Sequence, residues 1–134
     1  MSKTEQNLNK AFIEESKANM KYLFFATMAD EYGYPEIANT FRSMAKGEET
    51  HARGHLFFMT KLGKLKVKNM KDALKMSIEK ELDETKNMYP KIAKEAKEEG
   101  HDDIAKWIER VGKAEEKHMK LCQKLLDSLE NNKK

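Results

Sequence analysis

Apolar residues recur at helical spacing in four blocks, and each block carries polar residues on the same stripe near its middle. The first stripe runs Leu8, Phe12, Asn19, Tyr22, Ala26 and Ala29, with Glu15 falling on it. The second runs Ile37, Phe41, Met44, Glu48, His51, His55, Phe58 or Met59, and Leu62. The third is Leu74, Ile78, Glu81, Met88, Ile92 and Ala96. The fourth is Ile104, Ile108, Val111, Glu115, His118, Cys122, Leu125 and Leu129. These stripes predict helices over about 4–31, 35–62, 70–99 and 102–130, in one domain spanning 1–134.

The breaks between blocks have their own chemistry. In "YGYP", Gly33 suits a helix C-cap and Pro35 the first turn of the next helix. Gly100 closes the third helix, and Asp102 or Asp103 can cap the fourth. Pro90 removes a backbone donor and predicts a kink in the third helix. The two halves also match at an offset of 67 residues: Tyr22 with Tyr89, Gly33 with Gly100, Ile37–Ala38 with Ile104–Ala105, Glu48 with Glu115, and His51 with His118. One helix pair is used twice, and two amphipathic hairpins bury their faces by packing into a four-helix bundle.

Composition narrows the class. Of 134 residues, 37% are charged and 39% hydrophobic, which suits long amphipathic helices. The 26 basic and 23 acidic residues nearly cancel, which gives no electrostatic case for nucleic acid. The basic run at 61–71 reads as a solvated loop. The one cysteine, Cys122, excludes an internal disulfide and a multi-cysteine metal site, and its stripe position reads as a core thiol. The first residues lack a signal segment and no run reaches membrane-spanning length, so a cytoplasmic protein without membrane contact is expected.

Glu15, Glu48, His51, Glu81, Glu84, Glu115 and His118 all lie where apolar side chains belong. Stacked in a bundle centre, lone ionised carboxylates cost several kcal/mol each, on the order given for buried ions. Five of them carry −5, two divalent cations restore +4, and no Arg or Lys falls on these stripes near the cluster. Spacing i, i+3 puts Glu48 with His51, and Glu115 with His118, on one helix face. The pattern of two helices giving a Glu and two giving Glu-x-x-His is that of ferritin-like di-metal bundles. Glu14 competes with Glu15, since at the offset of 67 it is Glu14 that matches Glu81; the continuous stripe selects Glu15. Oxygen donors with two imidazoles suit iron or manganese, and zinc can also occupy them. Tyr22 and Tyr89 fit either packing or hydrogen bonds to ligands, and the role of His55 is open.

These motifs resemble the rubrerythrin family. "AFIEES" resembles its first Glu motif, "EETH" its Glu-x-x-His, "ELDETKNMYP" its Glu-x-x-Glu followed by Met-Tyr-Pro, and "KEEGHDDIA" with "KAEEKH" its last helix pair. The resemblance implies an all-α, ferritin-like fold and a non-haem di-iron centre reducing hydrogen peroxide to water. It gives Glu15 and Glu81 as terminal ligands, Glu48 and Glu115 as bridges, and His51 and His118 as imidazole ligands. Glu84 and His51 exchange at one iron as the redox state changes, and both count as catalytic. Tyr22 and Tyr89 match tyrosines near the family's site. The family usually carries a four-cysteine rubredoxin domain and an apolar residue at the His55 position. This sequence therefore resembles the shorter erythrin or sulerythrin type, which takes electrons from an external carrier such as a rubredoxin or flavin reductase. Ferroxidase or iron-handling chemistry with oxygen is the rival reading, and a metal-free interaction bundle the third.

Reach adds an expectation about assembly. His51–Leu62 and Met70–Glu81 each span roughly 16 Å of helix, so the link must cross about 33 Å. Residues 63–69 reach only ~29 Å when extended. A domain-swapped homodimer is predicted, in which helices one and two of one chain pack on three and four of another.

Overall fold

The computed structural model describes residues 2–131. Helix α1 spans Lys3–Glu31, with no Gly or Pro inside it. Ser2 is its N-cap, in extended geometry, and its Oγ accepts the Glu5 N–H at 3.2 Å. Helix α2 spans Pro35–Lys61 and opens on the proline, whose fixed φ suits a first turn and whose missing donor costs nothing there. The second half holds α3 (Met70–Asp83), a π-helical turn (Glu84–Met88), α4 (Tyr89–Glu98) and α5 (Asp102–Asn131). Among the described residues there is no strand, and no helix is long and apolar enough to cross a membrane.

Helices α1, α2 and α4 each end in a Schellman cap on a glycine with positive φ, at Gly33, Gly63 and Gly100. At the last, Gly100 N–H bonds Lys97 O and His101 N–H bonds Ala96 O. The start of α3 is set by Asn69, in extended geometry, whose Oδ1 accepts the Asp72 N–H at 2.9 Å. Asn69→Ala is expected to lower stability by about 1 kcal/mol, read from the urea midpoint at unchanged slope.

The expected kink at Pro90 takes the form of the π turn just before it. Pro90 has no N–H for the carbonyl four residues back, and its ring would crowd that carbonyl. The backbone widens instead, and Tyr89 N–H bonds the Glu84 carbonyl five residues earlier. Glu84 is thus the first residue of a widened turn, a distortion often found at functional sites.

The chain divides into two units, residues 1–66 and 67–134. In the first, α1 packs against α2; in the second, α5 packs against α3, the π turn and α4. The seams are made largely of alanine. Ala26, Ala29, Ala38, Ala45, Ala52 and Met59 are buried in the first hairpin, and Ala96, Ala105 and Leu126 in the second. Positions 38, 45, 52 and 59 are spaced by seven, the coiled-coil repeat that keeps one helix face on its partner. Asn19 joins this seam through Nδ2, which donates to Ala45 O at 2.7 Å. The ion pair Arg42–Asp30, at 2.7 Å, ties α2 to α1 at the surface.

Larger residues of the predicted stripes stay exposed on their hairpins: Ile37, Met44, Phe58 and Leu62 in the first, and Ile92, Ile104, Leu125 and Leu129 in the second. Helices α1, α2, α4 and α5 each bury alanine in their hairpin, while bulkier residues of the stripes stay exposed.

Candidate metal centre

In the first hairpin, Glu15 from α1 meets Glu48 and His51 from α2, with one donor atom from each lying within 4.8 Å of the others. In the second, Glu81 from α3 meets Glu115 and His118 from α5 under the same limit. Each group is one lone Glu and one Glu-x-x-His pair. Glu48 and His51 reach one side of α2 because i and i+3 are neighbours on a helix surface.

The other acid of "EETH" points elsewhere. Glu49 is paired with Lys46 at 3.2 Å and Arg53 at 3.3 Å. The Lys46 hydrogen bond and charge, with Arg53 behind them, hold its carboxyl below the usual value. Glu14 likewise faces out, 3.9 Å from Lys17 with both side chains mostly exposed. The choice between Glu14 and Glu15 thus turns on the helix face, and it is Glu15 that the structure puts beside Glu48 and His51.

Within the groups, Glu15 Oε1 lies 3.1 Å from His51 Nδ1. His118 Nδ1 is 3.9 Å from Glu115 Oε1, beyond hydrogen-bond range. Glu84 stands outside the second group of mutually close donors. It is nearly covered, at 13% exposure, with Oε1 3.3 Å from Lys80 Nζ. Tyr22 stacks on Phe41 with ring centroids 5.9 Å apart, and Tyr89 sits half-buried at the end of the π turn. Among the described residues neither tyrosine bonds a site carboxylate. His55, whose role the sequence leaves open, lies with Nε2 against Glu15 Oε2. The signal for it was its place one turn after His51 on the same stripe.

Whether these residues fit a metal is tested by two orphaned atoms. Glu15 Oε2 and Glu81 Oε2 are buried without a properly formed hydrogen bond among the described residues; the His55 contact lacks the geometry of one. A buried polar atom left unpaired costs about 1–3 kcal/mol, and more when charged. Both orphans are carboxylate oxygens, one in each group, beside imidazoles and further carboxylates. That mixed oxygen and nitrogen donor set suits a divalent transition metal.

The rubrerythrin family model matches residues 6–126 of this chain. The chain belongs to the rubrerythrin family. Rubrerythrin-1 of Clostridium acetobutylicum is 33% identical over 149 residues, covering 98% of this chain and 74% of that protein. The rubrerythrin of Clostridium perfringens is 31% identical over 144 residues, covering 98% and 74%. Among solved structures, symerythrin from Cyanophora paradoxa, reduced with dithionite, aligns with a TM-score of 0.46 and 26% identity, over 96% of this chain and 87% of that one. Rubrerythrins are ferritin-like di-iron oxidoreductases with peroxide-related roles, and this chain carries two Glu/His groups able to hold metal ions. With one cysteine in its 134 residues, it holds no four-cysteine rubredoxin domain within them.

Proposed function

We propose that the two Glu/His groups together bind two iron ions and reduce hydrogen peroxide to water, with electrons from a separate carrier. The supporting observation is the pair of matching groups, each with a buried carboxylate oxygen that lacks a well-formed hydrogen bond. In this reading Glu15, Glu48 and His51 hold metal from one hairpin, and Glu81, Glu115 and His118 from the other. Glu48 and Glu115 would be the acids shared by the pair of ions, and manganese or zinc can compete for the same donors. When bound, the iron pair supplies Lewis acidity and two electrons. Peroxide, two electrons and two protons then give two waters.

The chain's own residues set the conditions. Clustered carboxylates favour a multivalent cation over a neutral ligand. The His51 side chain is 57% exposed on its hairpin, which leaves its ring room to move. Glu84 is held by Lys80 outside the group, at the start of the π turn, as a carboxylate in reserve. In the proposal it alternates with His51 and passes protons at its carboxylate oxygens. Tyr22 and Tyr89 frame the site through packing.

The test is reoxidation of the iron(II)-loaded, reduced protein, followed by visible absorption. Fast reaction with peroxide and slow reaction with oxygen are expected. The reverse order, or a mineral core formed with excess iron(II), would make the protein an iron-handling ferroxidase.

The proposal extends to assembly. After α2, Lys64 and Leu65 fold back, their N–H groups 2.9 and 3.3 Å from Met59 O. From Leu65 to Met70 the chain reaches only ~18 Å, well short of the ~33 Å that one ferritin-like bundle requires. We therefore propose that the bundle closes between two chains, in a swapped homodimer. Sedimentation at micromolar concentration is expected to give a dimer, and a monomer would sink this reading.

A further inference from the structure

We propose that His55 is a positioning residue for Glu15, which gives the first half of the metal centre a held carboxylate that the second half lacks. This rests on the metal-binding reading of the two groups.

Two observations carry it. The first is local. Both oxygens of Glu15 face imidazoles: Oε1 lies 3.1 Å from His51 Nδ1, and Oε2 lies against His55 Nε2. The two histidines are one turn apart on α2, so a single helix face presents both rings to one carboxylate from α1. His55 is the more sheltered, at 27% side-chain exposure against 57% for His51. It stands outside the group whose donor atoms are mutually within 4.8 Å, so its contact with the site runs through Glu15. A group that touches a ligand but not the ion's other ligands orients that ligand, as outer partners of metal-bound residues do.

The second observation is the internal repeat. At the offset of 67 the residue equivalent to His55 is Cys122. Cys122 is half-buried, outside the second group, and a thiol is a weak donor. Glu15 Oε2 and Glu81 Oε2 both lack a well-formed hydrogen bond, but Glu15 Oε2 has the His55 ring against it, whereas Glu81 has no ion pair among the described residues. The two half-sites share one plan, and the histidine at 55 against the cysteine at 122 is a difference beside it. On the first side the His55 ring lies against one oxygen of Glu15, while the other faces His51, itself a member of the donor group. On the second, no imidazole lies within ion-pair distance of Glu81 among the described residues. The first half-site is pre-organised, and the second is adaptable.

The experiment is anaerobic cobalt(II) titration of the full chain, wild type against three variants, followed by the visible bands of bound cobalt and by the melting temperature of the metal-free protein. His55→Leu is expected to weaken the first cobalt equivalent about 10- to 100-fold and alter its bands, with the second equivalent unmoved. His55→Gln puts an amide N–H near the position of Nε2 and is expected to restore affinity to within about threefold. His55→Asn is too short and is expected to resemble leucine. Equal affinity and identical bands for leucine and wild type would overturn the proposal. If His55→Leu fails to fold, the Gln and Asn variants carry the test, and equal affinities for those two would overturn it. Wild-type protein that takes up no cobalt would instead overturn the metal reading on which the proposal stands.

Discussion

Glu48→Ala is expected to lower peroxide reduction by about 100-fold or more, while Glu49→Ala, one residue away, is expected to leave it within about twofold. The two acids share a helix turn and differ in the face they occupy. Glu48 joins Glu15 and His51 in one donor group. Glu49 sits among Lys46 and Arg53 on the outer side, and those cations hold its carboxyl below the usual value. Removing Glu49 costs an exposed ion pair, which is worth little. Removing Glu48 takes away a proposed ligand to both ions. The sign of the stability change separates this reading from a structural one. Without metal, Glu15 and Glu48 repel each other, so the metal-free Glu48→Ala protein is expected to melt no lower than wild type. The rise in melting temperature on adding iron(II) should shrink or vanish, because that rise reports binding to the folded state. A metal-free Glu48→Ala protein that melts well below wild type, with the iron(II) response intact, would assign Glu48 a packing role.

Much of this site is legible in the residues themselves, because helices make it so. Glu48 and His51, like Glu115 and His118, must share a face at i, i+3, and the stripe that carries them also carries the apolar residues. The Glu14–Glu15 ambiguity shows where a repeat misleads: the offset of 67 favours Glu14, yet Glu14 faces solvent and Lys17. Helical phase outweighs the repeat because burial is decided by face.

Three features escape a reading of periodicity. The hairpin seams are built on alanines such as Ala38, Ala45 and Ala52. Alanine is common on every helix face, so its role in close helix approach shows only when two helices are set side by side. The π turn at Glu84–Met88 depends on how the backbone absorbs Pro90. A kink is the simpler expectation, and the widened turn is an equally physical solution. His55 is on the stripe, but its contact with Glu15 crosses from α2 to α1 and depends on how the two helices align. Spacing along one helix says nothing of that.

Mixing two inactive chains is expected to restore activity. Glu48→Ala disables the first hairpin of its chain, and Glu115→Ala disables the second hairpin of another. In a swapped dimer each site takes its first hairpin from one chain and its second from the other. A mixed dimer then has one site carrying both defects and one carrying neither. Random pairing makes half the dimers mixed, so unfolding and refolding the variants together should recover about a quarter of wild-type peroxide reduction. Iron bound at intact sites should return in the same proportion. If instead both hairpins of a site belong to one chain, every site in the mixture keeps a defect and activity stays at the level of the parents. The short link makes the first outcome the expected one. Gly63 and the bonds to Met59 O turn the chain back at the end of α2, and Asn69 already caps α3. To span a bundle within one chain, the link would have to give up the folded segment after Gly63 or unwind helix ends that are capped on both sides. Lengthening it with about ten Gly/Ser residues between Lys66 and Val67 should remove the constraint. The lengthened chain is expected to populate an active monomer, and its paired Glu48→Ala and Glu115→Ala variants should no longer complement fully.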